Sequence, residues 1–146
     1  MKKKVLLLIL AIFLILVLTG CGTHFLDGMD DEGIVEQIVW DYWRAITNRQ
    51  YELAKWYCVP DGVWYNKTDE WEEYINTNSE GEASVIVSFY HFYEPTEVIG
   101  NNAMVYALIF VDKIPFPSSC IINVDTFEYE IELIKETSPP GGWKLK

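Results

Sequence analysis

Histidine, cysteine and basic residues are all scarce in this chain of 146 residues. There are two histidines and three cysteines, and 11 Lys and Arg stand against 22 Asp and Glu. The sequence contains no glycine-rich phosphate loop, no His-Glu-x-x-His and no Cys-x-x-Cys, so it lacks the usual signatures of nucleotide binding, zinc proteolysis and dithiol chemistry. Nucleic acid is not expected as a partner, because its phosphates are bound through Lys and Arg. Neither a cofactor nor a metal site is predicted.

The N-terminus has the pattern of an export signal. Lysines at positions 2–4 precede an unbroken apolar run over residues 5–18, which is shorter than the roughly 20 apolar residues of a membrane-spanning helix. The motif Leu18-Thr19-Gly20-Cys21 follows and resembles the bacterial lipobox. The resemblance implies cleavage after residue 20, with diacylglycerol on the Cys21 sulfur and fatty acylation of its amine. An uncleaved anchor helix is the alternative.

The expected mature chain is therefore a lipid-anchored, extracytoplasmic protein with a strong negative charge. Loss of residues 1–20 leaves 8 Lys and Arg against 22 Asp and Glu, a net charge of −14. This charge disfavours docking on anionic lipid and is compatible with cationic partners. Outside the cytoplasm Cys58 and Cys120 can form a disulfide bond with each other; the alternative is that both are buried thiols.

The first half of this chain is predicted to be helical, after a tether over residues 21–33. Apolar residues recur at helical spacing over residues 34–48, 50–58 and 68–76, with Thr68 or Asp69 capping the third helix. The residues expected to face inward are Ile34, Val35, Ile38, Val39, Tyr42, Trp43 and Ile46 in the first helix, Leu53, Ala54 and Tyr57 in the second, and Trp71, Tyr74 and Ile75 in the third.

The second half is predicted to form strands over residues 84–93, 103–111, 121–134 and 143–145. In the third strand, apolar residues at 127, 129, 131 and 133 alternate with glutamates, as in a strand with one wet face. The fold class is therefore α+β. About three N-terminal helices pack on one face of an antiparallel sheet of about four strands, in a single domain over residues 34–146.

Three stretches of this succession resemble the nuclear-transport-factor-like (cystatin-like cone) superfamily. They are Tyr42-Trp43-Arg44-Ala45-Ile46 with the opening of the second helix, Gly100-Asn101-Asn102-Ala103-Met104-Val105 at a hairpin, and the final strands from Tyr129 to Leu145. The chain looks most similar to the small envelope lipoproteins of that superfamily. The resemblance implies a strongly bent sheet that wraps a helix and encloses a cone-shaped cavity. Because the superfamily includes enzymes and binding modules, it does not supply the function.

Candidate site residues come from the aromatic and titratable groups of the predicted cone. We expect Trp43, Trp64, Tyr65 and His91 to line a pocket or its rim, although most of the aromatic residues should be core. The favoured function is a non-enzymatic module that binds a small molecule or an envelope protein. The alternative is a cone-fold enzyme of the proton-transfer, isomerase or dehydratase type that uses His91 or a cavity carboxylate such as Asp125.

The first two predicted strands are apolar on both faces, which predicts a second contact surface. Strands of this kind are normally covered on both sides, and the helices cover only one. We therefore expect the outer face to pair with a second copy of the chain. In the first strand, one face is assigned Val85, Val87, Phe89 and Tyr93, and the other face is assigned Ile86, Tyr90 and Phe92. In the second strand, one face is assigned Met104, Tyr106, Leu108 and Phe110, and the other face is assigned Val105, Ile109 and Val111.

Overall fold

A computed structural model describes residues 29–79, 83–115, 123–137 and 142–146. The predicted leader, Cys21, most of the tether and Cys120 lie outside the described residues. No helix in the described part of the chain has the length and apolarity needed to cross a membrane. The helices are α1 (Asp31–Thr47), α2 (Tyr51–Trp56) and α3 (Val63–Asn78). The strands are β1 (Ala83–Phe92), β2 (Glu97–Ile99), β3 (Asn102–Pro115), β4 (Asn123–Glu136) and β5 (Gly142–Leu145).

The predicted fold class is confirmed, since three helices pack on one face of a curled antiparallel sheet. The sheet order is β1-β3-β4-β5, and β2 pairs with the part of β3 that β1 leaves free. The prediction missed β2 because three residues are too short to show a period. The core lies between the helices and the concave inner face, where the odd-numbered residues 103–111 of β3 are all buried.

Helix α1 begins three residues before its predicted start. The Asp30 carboxylate accepts a hydrogen bond from the Gly33 N–H at 2.9 Å and caps the helix. Asp31 and Glu32 occupy the first turn, where negative charge is favoured by the helix dipole. In α2, Tyr51 and Ala54 face inward, whereas Leu53 is 43% exposed, so the inward position predicted for Leu53 is wrong.

Helix α3 begins at Val63, directly after the predicted Pro60-Asp61-Gly62 turn, with Gly62 as its N-cap residue. The predicted start at Thr68 or Asp69 is therefore wrong. Thr68 lies fully buried within the helix, and its Oγ1 donates to the Trp64 carbonyl at 2.9 Å. A threonine can satisfy its hydroxyl in this way as well as by capping, so its presence alone does not locate a helix start.

A β-bulge in β1 changes which side chains face the core. The pairing with β3 shifts between Phe89 and His91, so the residues beyond the bulge exchange faces. Phe92 pairs with Ala107 and packs against the core, and Tyr93 lies beside Tyr106 on the outer face. The predicted sides of Phe92 and Tyr93 are therefore wrong, because strict alternation does not anticipate the extra residue.

Candidate functional site

The interior of the cone is filled by interlocking aromatic side chains. Trp43 is fully buried and Trp64 is 5% exposed. The Trp43 ring contacts those of Tyr42, Trp64 and Trp71 edge-to-face, at centroid distances of 5.2, 6.0 and 5.5 Å, which is a favourable arrangement for aromatic pairs. The predicted pocket or rim positions of Trp43 and Trp64 are thus corrected, because the start of α3 at Val63 turns Trp64 into the core.

Two buried hydroxyl groups at the centre of this cluster satisfy each other. The Tyr42 OH and the Thr68 Oγ1 lie 3.2 Å apart, and the Thr68 hydroxyl itself donates to the Trp64 carbonyl. The Tyr42 OH is therefore the donor in their shared hydrogen bond. Burial raises the pKa of Tyr42 far above its ordinary value. The group stays a neutral hydrogen-bond donor, so it acts as a structural element of the core.

Between α3 and the inner face of β4, the described residues leave a shallow open cup of about 210 Å³. This volume is below the roughly 300 Å³ at which pockets for drug-sized ligands begin, so the cup suits one ring or one side chain. The walls are aromatic and the rim carries an ion pair. The residues of this aromatic cup are Lys67, Glu70, Trp71, Tyr74, Phe127 and Tyr129.

The cup presents flat rings in fixed orientations. The rings of Phe127 and Tyr129 are nearly parallel, with an interplanar angle of 7° and centroids 6.3 Å apart. Trp71 meets Phe127 edge-on at 5.5 Å and Tyr74 at the same distance. Phe127 and Tyr129 are neighbours at spacing 2 on β4, and Trp71 and Tyr74 are neighbours at spacing 3 on α3, so the regular backbone fixes each pair. The contact between Trp71 and Phe127 is set by the packing of α3 on β4.

The polar groups of the cup favour recognition over proton transfer. The Glu70 carboxylate is paired with Lys67 at 2.6 Å. Burial raises the pKa of Tyr129 to about 12, so this phenol remains protonated at neutral pH. The Trp71 Nε1 is buried, and its N–H lies near the Tyr129 hydroxyl, since a hydrogen bond from Trp71 partly offsets the effect of burial on the pKa of Tyr129.

Asp125, the carboxylate predicted for the alternative enzyme, is held by side chains beside the cup. The Tyr74 OH donates to its Oδ2 at 3.1 Å, and the Lys113 Nζ lies 3.9 Å from the same oxygen. Asp125 does not line the cup. Its contacts tie α3 and β3 to the start of β4.

His91 and Tyr65 lie away from the aromatic cup. His91 is exposed beyond the bulge, on the outer face of the sheet, where its ring contacts Tyr90 at a centroid distance of 4.6 Å. Tyr65 is half-buried on α3, with the Lys55 Nζ 5.0 Å from its ring centroid. The structure therefore brings none of the four predicted pocket residues together at the remaining opening.

Cys58 is a buried free thiol among the described residues. Its Sγ donates to the Ala54 carbonyl at 3.5 Å, and burial raises its pKa to about 12. A thiol of this kind is a poor nucleophile, because the thiolate is the reactive form. The disulfide bond to Cys120 stays a prediction, because Cys120 lies outside the described residues. Within the described residues no group of His, Cys, Asp and Glu could hold a metal ion.

Sequence reasoning missed Phe127 and Tyr129 as site residues because it assigned both to the core. The alternation in β4 correctly placed them on the inner face, and both are partly buried there. The sequence did not reveal that Trp71 and Tyr74 of α3, one and two turns after Lys67, lie opposite Phe127 and Tyr129. A contact between two distant segments of chain is not encoded in the period of either one.

Comparison with solved structures places this architecture among known folds. A conserved protein from Planctomyces limnophilus superposes with a TM-score of 0.56 at 13% identity, covering 79% of this chain and 90% of that one. A putative dehydratase of the NTF2-like family from Streptomyces avermitilis gives 0.53 at 15% identity, covering 79% and 91%. An NTF2-like superfamily protein from Salmonella enterica serovar Typhimurium gives 0.53 at 14%, covering 79% and 85%.

These similarities establish the fold alone, which is the nuclear-transport-factor-like cone. No model of a known protein family matches the chain. No curated protein matches it either.

Proposed function

We propose that the chain is a membrane-anchored bacterial lipoprotein whose extracytoplasmic domain is a non-enzymatic binding module. Binding uses the aromatic cup, and the ligand presents one flat ring, from a small molecule or from the side chain of an envelope protein. The observation that carries the proposal is the cone interior, which is packed with aromatic rings and leaves an opening of about 210 Å³.

The walls of the cup define the chemistry of the ligand. Four aromatic rings offer stacking and edge contacts, which suit a flat apolar ring or the apolar face of a sugar. The ion pair of Lys67 and Glu70 offers both signs of charge at the rim. The carboxylate that lines the cup, Glu70, is held in its ion pair with Lys67.

The alternative of a cone-fold enzyme draws no support from these positions. His91 lies on the opposite face of the sheet from the cup, and Asp125 is engaged by Tyr74 and Lys113. A general base has to lie within hydrogen-bonding reach of the proton that it removes. Neither group meets this condition at the remaining opening.

The anchor supports a binding role rather than a diffusing one. The lipobox-like motif at Cys21 implies two or more acyl chains, and anchoring is stable when more than one chain is buried. A tether that begins at Cys21 and ends before α1 would hold the domain close to the membrane surface. A module held there meets envelope components at high effective concentration.

The binding proposal is tested with single-ring probes on the full chain in zwitterionic nanodiscs. Indole and methyl β-glucoside are titrated separately, and the indole N–H signals of the six tryptophans are followed by NMR. Trp71→Phe assigns the signal of Trp71. We expect at least one probe to shift the Trp71 signal saturably while the signal of the exposed Trp56 stays fixed.

Tyr74→Ala removes one wall of the cup and should weaken binding about tenfold, or about 1.4 kcal/mol. Tyr65→Ala is the matched control, because Tyr65 is on the same helix and outside the cup. The proposal fails if neither probe moves the Trp71 signal, or if Tyr65→Ala weakens binding as much as Tyr74→Ala.

A further inference from the structure

The convex face of the sheet exposes a continuous apolar strip that the helices do not cover. Its central column is on β3, where the even-numbered side chains 104–110 are only partly buried while the odd-numbered ones are in the core. Tyr90 is 60% exposed and its ring contacts Phe110 at 4.6 Å, and Ile86 is 42% exposed. We name this surface the outer strip, and its residues are Ile86, Tyr90, Met104, Tyr106, Leu108 and Phe110.

A column of carboxylates runs along one side of the outer strip. In the register of β3 with β4, Met104 is opposite Glu132, Tyr106 is opposite Glu130, and Leu108 is opposite Glu128. Directly opposed side chains on antiparallel strands have their Cβ atoms about 5 Å apart. Three apolar side chains of the strip, Met104, Tyr106 and Leu108, therefore each have a carboxylate beside them.

The other side of the strip is acidic as well. Glu97 of β2 is opposite Met104, and Glu94 follows Tyr93, whose ring contacts that of Tyr106 at 5.8 Å. Among the described residues only one of these five glutamates has an ion pair, formed by Glu132 with the Lys146 Nζ at 3.2 Å.

The electrostatic consequence is visible in two tyrosines of this face. The pKa of Tyr93 is raised mainly by burial, and further by the negative charges of Glu128, Glu130 and Glu94. The pKa of Tyr106 is raised mainly by burial, and further by the negative charges of Glu97, Glu130 and Glu94. The strip thus lies in a negative potential as well as being apolar.

The spacing of the carboxylates matches one class of partner structure. Alternate residues of a strand repeat at about 6.8 Å, and residues four apart on a helix repeat at about 6 Å. Lys or Arg at positions i, i+4 and i+8 of a helix laid along β3 can therefore meet Glu128, Glu130 and Glu132 in turn. Helices are also the usual cover for a sheet face, as on the inner face of this sheet.

We propose that the outer strip docks an amphipathic helix of a partner protein, with an apolar stripe on β3 and Lys or Arg along the β4 flank. A second copy of this chain, the occupant expected from apolarity alone, would bring two sets of unpaired carboxylates together. An anionic lipid surface would be repelled by the same carboxylates. The partner helix is the occupant whose apolarity and charge both complement the strip.

The test uses the full chain in the envelope of a bacterium that makes it, with Tyr90→p-benzoylphenylalanine as a photo-crosslinking probe. Tyr90 is exposed and aromatic, so the substitution retains its ring. After illumination, mass spectrometry maps the segment attached at position 90. We expect a segment of another protein with helical apolar spacing and a net positive charge.

Charge reversal then separates docking from chance proximity. Glu128→Lys with Glu130→Lys should lower the yield of that crosslink about tenfold, because like charges would face each other across the interface. The matched control is Glu52→Lys with Glu73→Lys, which makes the same change of net charge at exposed positions of α2 and α3. The control should retain the yield, and thermal melting should show that both doubles are folded.

Each other result overturns the proposal. Attachment to a second copy identifies a homodimer face, and attachment to lipid identifies a membrane face. An acidic or non-helical segment, no attachment, or an equal loss in both charge-reversed doubles shows that the strip does not dock a basic helix.

Discussion

The aromatic side chains that fill the cone carry polar atoms that have to be accommodated in the interior. Thr68 solves this problem for Tyr42, because its hydroxyl accepts from the phenol while it donates to the Trp64 carbonyl. An unsatisfied buried donor costs more than the hydrogen bond contributes. Thr68 is therefore needed on the inward face of α3 because its hydroxyl accepts the hydrogen bond of the buried Tyr42 phenol.

Thr68→Val is expected to reduce the free energy of unfolding by about 1 to 3 kcal/mol, because it leaves the Tyr42 hydroxyl buried without an acceptor. The double variant Thr68→Val with Tyr42→Phe should regain part of the lost free energy of unfolding, because it no longer contains the unpaired Tyr42 hydroxyl. Urea unfolding of both single variants and the double variant gives the coupling free energy. Strictly additive losses would show that the two hydroxyls do not interact.

Elements distant in sequence are joined where the last strand meets the helices. The Leu145 N–H donates to the Tyr57 carbonyl at 2.9 Å and the Val59 N–H donates to the Leu145 carbonyl at 2.7 Å, so β5 is bound to the α2–α3 connection. At the start of the same strand, the Trp143 Nε1 donates to the Asp31 carboxylate at 3.4 Å. Lys135 binds that carboxylate at 2.8 Å, and hydrogen bonds from Lys135 and then Trp143 lower the pKa of Asp31.

Trp143→Ala should lower the free energy of unfolding by about 3 to 5 kcal/mol, because a ring that is 3% exposed leaves a large cavity under β5. Chemical unfolding of the full chain, followed by circular dichroism, measures the loss. Trp56→Ala is the control, since the Trp56 ring is 61% exposed and packs mainly on Lys144. Similar losses for the two variants would contradict the closing role of Trp143.

The molecule as a whole is an acidic domain with two distinct surfaces and an expected anchor. The aromatic cup is on the concave side of the sheet and the outer strip is on the convex side, so one ring ligand and one helix can be bound together. With a net charge of −11 for the complete chain, attraction to anionic lipid cannot hold it at a membrane. Under the lipobox interpretation, the proposed location at the membrane depends on lipid at Cys21.

Cys21→Ala should abolish labelling of the chain by radioactive palmitate and leave the uncleaved precursor in the cell, because the modified sulfur is the proposed site of acylation. Labelling and electrophoretic mobility are compared in cells that make the original chain. Cys58→Ala is the control, because the Cys58 thiol is buried in the folded domain. Unchanged labelling of the Cys21→Ala chain would rule out the lipobox interpretation.

The sequence by itself determined the fold class, the order of the three helices and of four of the five described strands, and the faces of β4, because these depend on local periods. Phe127, Tyr129, Ile131 and Leu133 alternate with glutamates in the sequence, and the structure places them on the inner face. The helical period likewise identified five of the buried residues of α1, because a continuous stripe over four turns is hard to mistake; they are Val35, Val39, Tyr42, Trp43 and Ile46.

Only the tertiary structure decided which residues form the opening of the cone. The burial of Trp64 follows from a helix start at Gly62, and the outward position of His91 follows from a bulge next to Phe89. The cup then arises where Trp71 and Tyr74 of α3 meet Phe127 and Tyr129 of β4. Packing between segments more than 50 residues apart sets that contact, and no local period carries this information.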